Sequence, residues 1–246
     1  MKEMNVKECI YGRRSIRKYN ANKITDEELK EIISAGIHAP SACNFQAWKF
    51  IVLNSDEKKC EFLNAYGIGS RGGRPMIENS QQGILVTYRN DLGVSGRALC
   101  DYIQSAAAAI QNMLLMATSL GIGSCWICDL PKMDTMRKVF HIPSNYDVIA
   151  YVSLGYPVSG GGTSSIASQV YHYGSEENFK LHKRRYTYEQ CVSYNEFTVV
   201  DGDSTMGKYP VRDYKAKLKE KFPLLYAISF RFNSLKKNIK HMLGRS

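Results

Sequence analysis

The sequence lacks the long apolar segments that place a protein in or across a membrane. No stretch of its 246 residues reaches the apolar length of a spanning helix. Residues 1–17 carry charges throughout and contain no apolar run, so no signal peptide is visible there. We therefore expect a cytoplasmic protein.

Cysteine is present, but not in the arrangement of a disulfide-rich secreted domain. The seven cysteines are an odd number spread along the chain, and reduced thiols in a cytosolic protein fit this distribution best. They are Cys9, Cys43, Cys60, Cys100, Cys125, Cys128 and Cys191.

Cys125 and Cys128 have the Cys-x-x-Cys spacing that occurs in redox and zinc sites. A zinc site needs two further ligands, and none of the other cysteines is paired in this way. A thioredoxin-like pair opens a helix after a strand, whereas this pair follows a helix and lies in a strand-like segment. Alternation along a strand points the two thiols to opposite faces, which argues against a metal or a disulfide here.

An excess of positive charge is confined to the C-terminal quarter. Residues 1–179 hold 18 Lys and Arg against 17 Asp and Glu, a balance of +1, and residues 180–246 hold 15 against 6, a balance of +9, which together give the net charge of +10. The apolar content of 44% is ordinary for a globular protein. No basic-aromatic module of a known type is present, so we expect no nucleic-acid partner.

Helices alternate with a few strands, which predicts an α+β or α/β layered domain. Thr25 and Glu28 form a capping box before an amphipathic helix that ends near His38. Several glycines and Pro75 within residues 67–83 predict an irregular, mobile loop. The predicted helices are 5–12, 25–38, 56–66, 99–120 and 133–140, and the predicted strands are 50–53, 84–88 and 146–155.

Two segments have the chemistry of a binding site. Residues 13–19 contain four cations and a serine, and arginine forks with a hydroxyl at the same turn suit an anion such as phosphate. Residues 39–48 form a loop of a proline, small residues and amides that could grip a polar heterocycle. The alternatives are a solvated basic face for the first segment and an ordinary connection for the second.

The order of these segments resembles that of the FMN-dependent nitroreductase family over residues 7–195. Each segment is weak evidence alone, but the order and spacing together are specific. The segments that carry the resemblance are 13–19, the capped helix, 39–48, the alanine-rich helix, 121–127 and 152–157.

The resemblance implies a fold and an assembly. We expect residues 1–195 to form an α+β domain whose mixed sheet is wrapped by helices, paired into an intertwined homodimer with FMN at the interface. Residues 196–246, which the resemblance does not cover, are expected to form a basic, partly helical C-terminal extension.

The resemblance also implies which residues bind the cofactor. Residues 13–19 are called the arginine segment below. By the resemblance, this segment contacts the flavin phosphate, ribityl chain and ring carbonyl through Arg13, Arg14, Ser15 and Arg17. By the same resemblance, the loop at 39–48 reaches the flavin of the partner subunit through Pro40, Ser41, Ala42, Asn44 and Gln46. The chain has Ala47 at a position where the family usually has a proline. The ring lies near Trp126, Ile127 and Cys128, and Lys183 and Arg185 complete the phosphate site.

No side chain is implied as the catalyst. A backbone amide within Ile127, Cys128 and Asp129, for which we favour Cys128, faces flavin N5 and stabilises negative charge on the reduced ring. The implied activity passes hydride from NAD(P)H through N5 to a small acceptor, expected to be aromatic, such as a nitro compound or a quinone. Residues 67–83 and 160–173 are expected to cover the substrate side.

The C-terminal extension supports a second hypothesis. Within residues 224–243, an apolar stripe at helical spacing has lysines mostly away from it, as in a basic helix on an anionic membrane surface. The same stripe could instead pack on the protein itself. The competing class is therefore a catalytically silent flavin-binding protein whose extension binds a partner or a membrane.

Overall fold

The computed structural model describes residues 4–66, 73–92, 101–158, 192–193 and 195. The first three ranges lie in one compact unit, Met1–Ser164. In the described part of the chain, no helix combines the length and the apolar character that a membrane crossing requires. The predicted extension at 196–246 and the helix predicted at 224–243 lie outside the described residues.

Eleven elements are described in this unit, and their alternation confirms the predicted mixture of helices and strands. The helices are α1 (Val6–Gly12), α2 (Asp26–Ile37), α3 (Asp56–Ala65), α4 (Arg74–Glu78), α5 (Asp101–Ser119) and α6 (Met133–Phe140). The strands are β1 (Trp48–Leu53), β2 (Gln82–Arg89), β3 (Gly123–Ile127) and β4 (Tyr146–Gly155), and a 3-10 turn occupies Ala42–Asn44.

The four strands form one sheet in the order β1-β2-β4-β3. All three ladders are antiparallel, so the described sheet differs from the mixed sheet that we expected. A parallel pairing does occur as a single bridge between Ser15 and Ser124. This bridge brings the arginine segment to β3, which is an edge strand of the described sheet.

Helices cover both faces of the sheet, as predicted. Residues on β2 alternate between the two sides, so that Ile84 and Val86 join α2 and α5 in one core while Leu85 joins the core on the opposite side. That opposite core contains Phe62 of α3, Ile77 of α4 and Met136 of α6. The sheet is therefore the middle of three layers.

The helix boundaries follow from local chemistry that is visible in the sequence. Asn5 caps α1 and Thr25 caps α2, each with a reciprocal bond from the glutamate at the third helical position. His38 ends α2, and its ring Nδ1 lies 2.8 Å from the Ser34 carbonyl oxygen. Gly121 has φ of 72° directly after α5, the left-handed conformation in which glycine commonly ends a helix.

The prediction of an irregular loop over 67–83 is wrong for its second half. Residues Arg74–Glu78 form α4, in which Pro75 stands within the first turn, where its missing N–H is not needed. Ile77 is fully buried and anchors the helix. We expected the proline and the nearby glycines to break structure, but this proline starts a helix.

A hydrogen bond between α2 and the end of β4 predicts a measurable pH dependence. The Tyr156 hydroxyl donates to Glu28 Oε1 at 2.6 Å, and Thr25 donates to Oε2. Partial burial opposes the ionised form of Glu28, but these donors outweigh it and lower the pKa of the carboxyl. The lowered pKa stabilises the fold above the pKa of the unfolded chain, and this stabilisation disappears as pH falls through the folded value.

We expect Glu28→Gln to lower the free energy of unfolding by about 0.5 kcal/mol at pH 7, because the site is largely exposed and screened. The difference from the wild type should vanish on acidification below about pH 4. Urea unfolding at several pH values measures it. Glu27→Gln, in the same helical turn, controls for the helix dipole; an equal loss in that variant contradicts the role of the Tyr156 bond.

Candidate functional site

The arginine segment lies along the β3 edge of the sheet. The Ile16 amide donates to the Ser124 carbonyl at 2.9 Å, and the Asn20 amide donates to the Tyr156 carbonyl at 2.8 Å. A second bridge pairs Tyr19 with Pro157. These backbone contacts hold both ends of the segment, so its side chains stand at fixed positions beside β3.

Two glycines make room for this segment. Gly123 and Gly155 are directly paired across the β3–β4 ladder. A Cβ on Gly123 would lie 2.8 Å from Ile16 Cγ2, and one on Gly155 would lie 2.7 Å from the Tyr19 ring. Because real Cβ atoms are not found that close to other atoms, the segment can occupy this place only over glycine.

The Tyr19 side chain anchors the arginine segment to β4. Its hydroxyl donates to the Ile16 carbonyl at 2.6 Å and lies 2.9 Å from Ser153 Oγ, a fully buried hydroxyl. Burial raises the pKa of Tyr19 above its usual value, so the phenol stays protonated and keeps this bond. Nothing in the sequence pairs Tyr19 with Ser153, which lies 134 positions away.

Three of the predicted cofactor-binding side chains converge near the Cys125 thiol. Burial raises the pKa of Cys125, while the positive charges of Arg17 and Arg13 and a hydrogen bond with Ser15 act in the opposite direction without overcoming it. The thiol is therefore neutral at physiological pH and is not an activated nucleophile. Geometry agrees for two of the three side chains, because Met76 Sδ contacts both Arg17 Nε and Cys125 Sγ, and Ser15 pairs with Ser124 of β3. Guanidinium groups and a hydroxyl along this edge are a donor set suited to a phosphate or another anion.

Arg14 differs from its neighbours because its Nη1 group binds the carbonyl oxygens at the C-terminal end of α1. Its Nη1 donates to the carbonyls of Tyr11, Gly12 and Arg13 at 2.8–3.0 Å. Cations at helix C-termini satisfy carbonyls that have no partner within the helix. The predicted role of Arg14 in cofactor binding remains a prediction, and its Nη1 group is committed to α1.

Arg17 is oriented by a contact that the sequence did not indicate. Its Nε donates to Met76 Sδ at 3.1 Å, and its Nη1 donates to the Ser15 carbonyl at 3.3 Å. Met76 belongs to α4, the helix missed in the sequence, and it lies 59 positions from Arg17. No local pattern could have identified this pair.

Hydrogen bonds fix the backbone at residues 127–129, where we predicted the amide that faces flavin N5. The Tyr66 hydroxyl donates to the Asp129 carbonyl at 2.8 Å, and the Gly73 amide donates to Asp129 Oδ2 at 2.9 Å. Burial raises the pKa of Tyr66, which preserves its hydroxyl as a donor. Residues 127–129 are therefore held from one side by α3 and by the start of α4.

Two buried polar atoms on β3 have no hydrogen-bond partner within the described residues. They are Ser124 Oγ and Trp126 Nε1. Buried polar groups without partners are uncommon, because each one costs free energy relative to its hydrated state. By strand alternation both side chains lie on the face of β3 that packs against α2 and α5, opposite to the Cys125 thiol.

The 39–48 loop is ordered by its own polar atoms and by α5. The Ala42 amide donates to Ser105 Oγ at 3.1 Å. The Gln46 amide donates to Ser41 Oγ at 3.0 Å, and Gln46 Nε2 donates to Asn44 Oδ1 at 2.9 Å. The polar groups predicted to reach a flavin are thus preorganised relative to one another.

Three non-glycine residues of this loop have left-handed backbone conformations. The φ angles are 46° at Cys43, 57° at Asn44 and 48° at Gln46. Each costs about 1 kcal/mol or more for an L-residue, least for asparagine. Such a concentration of strain is typical of a binding loop, and neither cysteine nor glutamine signals it in the sequence.

The structure brings some predicted site residues together and leaves others apart. Arg13, Ser15 and Arg17 adjoin β3, and Trp126 and residues 127–129 continue that edge. The loop instead contacts Ser105 in the first half of α5, about 21 Å along the helix from its end at 1.5 Å per residue, whereas β3 follows that end. None of the loop's described hydrogen bonds reaches the arginine segment. Lys183 and Arg185 lie outside the described residues.

The Cys125 and Cys128 thiols differ in exposure. Cys125 is buried, Cys128 is exposed one residue past β3, and both are free. The difference is consistent with the opposite faces that we predicted. Within the described ranges, no group of three or more histidine, cysteine or acidic side chains is arranged to hold a metal ion.

Comparisons with known proteins agree with this geometry. A model of the Nitroreductase family matches residues 10–82 and 72–156. An Archaeoglobus fulgidus protein, provisionally named as an NADH dehydrogenase/NAD(P)H nitroreductase, is 38% identical over 158 residues, which cover 62% of this chain and 87% of that protein. A Vibrio harveyi NADPH-flavin oxidoreductase is 26% identical and covers 62% of this chain and 66% of its own length.

Solved structures show the same fold. A nitroreductase family protein from Clostridium novyi has a TM-score of 0.58 and 30% identity, over 65% of this chain and 89% of its own. A provisionally named nitroreductase from Desulfovibrio desulfuricans, solved with FMN, has a TM-score of 0.59 and 25% identity, over 80% of this chain and all of its own. With its layered fold and its arginine segment on the β3 edge, the chain belongs to the nitroreductase family of NAD(P)H oxidoreductases.

Proposed function

We propose that this chain is an FMN-dependent oxidoreductase that transfers hydride from NAD(P)H to a small aromatic acceptor of the nitro or quinone type. When bound, FMN supplies a ring that accepts hydride and passes it on. The chain supplies the anion site, the oriented backbone and the enclosure. The observation that carries this proposal is the pairing of the arginine segment with β3 at Ser15 and Ile16, which places Arg17 near Cys125 through Met76.

The donor set fits FMN. A phosphate monoester needs fixed positive charge and hydrogen-bond donors, which Arg13, Arg17 and Ser15 offer at one place. A polar ring system needs hydrogen-bond donors beside it, and the backbone at 127–129, which continues from the end of β3, is proposed to offer one. These residues would hold the phosphate and border the ring, respectively.

The backbone at 127–129 has a separate role in this proposal. Its position is set by Tyr66 and Gly73, neither of which would touch the cofactor. A preorganised amide donor at Cys128 would stabilise negative charge without reorganisation and without a titrating side chain. This explains how the site can act with no acid–base dyad.

We infer that the site is completed by a second copy of the chain. The loop at 40–46 carries the amides expected at the ring, but it lies at the far end of α5 from the arginine segment. In a homodimer, the loop of one protomer could reach the arginine segment of the other. The loop's preformed left-handed conformation would lower the entropy cost of that docking.

An exposed apolar face supports this assembly. On α1, Val6 and Tyr11 are each more than 70% exposed, which is costly for an isolated surface. A cleft of about 560 Å³ opens between α1, α2 and α5. Other large apolar side chains exposed in the described residues are Ile10, Ile37, Phe45 and Ile103.

The cofactor is tested by spectroscopy of the purified full-length chain. We expect a flavin spectrum, or its appearance on reconstitution with FMN, and bleaching by NADH or NADPH without oxygen. Arg13→Gln should weaken FMN binding about tenfold or more, because it removes a charge-assisted contact. Nitroaromatic and quinone acceptors added to the reduced protein then identify the class that restores the oxidised spectrum.

Lys18→Gln is the matched control, because it removes the same charge from an exposed neighbour in the same segment. Its FMN affinity should stay within about twofold of the wild type. Protein that cannot be reconstituted with FMN contradicts the proposal. Flavin that binds but is not reduced by NAD(P)H supports the silent flavin-binding alternative. A monomer mass in sedimentation equilibrium contradicts the paired assembly.

Within the same proposal, residues 1–195 are the FMN-binding domain and residues 196–246 the extension. Lys183 and Arg185 would add positive charge to the phosphate site from the end of that domain. The basic segment at 224–243 would make at most a weak contact with an anionic membrane surface.

A further inference from the structure

We propose that Met76 is a positioning residue for Arg17, whose guanidinium group it orients toward FMN by accepting the Nε hydrogen bond. The sulfur of Met76 lies 3.1 Å from Arg17 Nε. This inference rests on the proposed function, because it concerns how Arg17 meets the cofactor. Met76 itself touches Arg17 and is not assigned a contact with FMN.

The contact fixes the plane of the guanidinium group. Arginine has five N–H donors in a rigid, planar fork, so holding one edge sets the direction of all the others. Met76 Sδ accepts the Nε–H, and the Ser15 carbonyl accepts one Nη1–H. Two of the five N–H donors of Arg17 are therefore bound to the protein itself. The Nη2 group has no partner within the described residues. Its direction is fixed because the planar guanidinium group is held at Nε and Nη1.

A second sulfur supports the first. Cys125 Sγ lies 4.0 Å from Met76 Sδ, and the charge of Arg17 acts on this thiol. Two polarizable sulfur atoms thus line the inner side of the guanidinium group. Sulfur is a weak acceptor compared with a carboxylate, so it orients the cation without neutralising it. A carboxylate in this place would compete with a phosphate for the same arginine.

The helix that carries Met76 is tied at both ends. Arg74 Nη1 donates to the Leu63 carbonyl at 2.8 Å, which links the first turn of α4 to α3. Lys59 Nζ donates to the carbonyls of Glu78 at 2.9 Å and Ser80 at 2.7 Å, which links the end of α4 to the same helix. These bonds explain how a helix of only five residues can hold a thioether at a fixed position.

Two variants separate the acceptor role from packing. Met76→Leu keeps a similar volume but removes the acceptor, and Met76→Gln restores an acceptor on a side chain of similar length. We expect FMN titration of the apoprotein, followed by flavin fluorescence, to show about three- to tenfold weaker binding for Met76→Leu. Met76→Gln should stay within about twofold of the wild type.

A second readout needs no cofactor. In nitrogen-15 NMR of the apoprotein, the Arg17 Nε–H signal, identified by its loss in Arg17→Lys, should exchange slowly with water in the wild type and in Met76→Gln. It should exchange several times faster in Met76→Leu. In the Arg17→Lys background, Met76→Leu should cause no further loss of FMN affinity, because lysine has no Nε fork to orient.

Met133→Leu is the control for loss of a thioether elsewhere, since Met133 Sδ accepts a hydrogen bond from the Val148 amide at 3.5 Å outside this site. It should leave FMN affinity unchanged. Unchanged affinity and exchange in Met76→Leu, or equal losses in Met76→Leu and Met76→Gln, overturn the inference. If the wild type binds no FMN, the proposed function fails, whereas the Nε exchange rates still decide whether Met76 holds Arg17.

Discussion

Replacing Gly155 by alanine is expected to displace the arginine segment and to weaken FMN binding at least tenfold. The new Cβ would lie 2.7–2.8 Å from three atoms of Tyr19. Neither Gly155 nor its partner Gly123 has a positive φ, so the backbone itself accepts alanine and only the lack of space opposes it. The effect is therefore steric and localised at the segment.

Tyr19 cannot move aside without losing its anchors. A ring shifted away from residue 155 would lengthen the hydroxyl contacts with the Ile16 carbonyl and with Ser153 Oγ. Overpacking of this kind costs about 1–3 kcal/mol of unfolding free energy. Because Arg17 follows Ile16 directly and shares its backbone path, the guanidinium group should shift together with the ring. We expect loss of FMN affinity in protein that is still folded.

Gly12→Ala is the control for glycine loss near the same segment. A Cβ there would meet only Met4 Cε, at an ordinary 3.8 Å. As Gly12 is the last residue of α1, alanine should be neutral or stabilise by about 0.5–1 kcal/mol. Circular dichroism establishes folding before FMN titration. A folded Gly155→Ala protein with wild-type FMN affinity contradicts the role assigned to this close approach.

Much of the fold could be predicted because its signals are local. The capping box of α2 depends on residues only three positions apart, and it was confirmed. The strands were located as short apolar runs between turn residues. The antiparallel pairing order was not predictable, because it depends on contacts between distant strands.

The candidate site could be predicted only as a set of residue types. Arg13, Ser15 and Arg17 were chosen for their donors, yet their common location depends on Gly123, Gly155 and Tyr19. α4 was missed because a proline beside glycines is equally typical of a loop and of a helix start. The left-handed conformations of Cys43 and Gln46 and the Met76 contact have no local signal. The cofactor contacts themselves stay predictions.

Replacing Gly83 by alanine is expected to cause the largest loss of stability, about 3 kcal/mol or more. Gly83 lies on β2, paired with Leu53 on one side and Ser153 on the other. A Cβ there would lie 1.9 Å from the Tyr151 hydroxyl oxygen and 2.0 Å from Tyr151 Cζ. The Tyr151 ring therefore crosses directly over this position in the strand.

The ring has little freedom to yield. Tyr151 is 1% exposed, and its centroid lies 5.5 Å from that of Phe62, which in turn packs edge-on against Phe140 at 5.3 Å. Moving the ring would open this aromatic cluster and expose the core between the sheet and α3. Close-packed interiors transmit such a displacement, because they contain few voids to absorb it. Thermal unfolding followed by circular dichroism measures the loss.

Gly36→Ala tests what sets the stability loss of Gly83→Ala. The loss could depend on how rigid the side chain beside the glycine is, or only on how far the new Cβ overlaps that side chain. A Cβ on Gly36 would lie 2.4 Å from Met113 Cε, but that atom ends a flexible thioether that can change rotamer. Gly36 is inside α2, where alanine gains about 1 kcal/mol of helix propensity. We therefore expect Gly36→Ala to change stability by less than about 1 kcal/mol. Equal losses in the two variants would mean that overlap alone decides, and that the Tyr151 ring is no more fixed than a methionine.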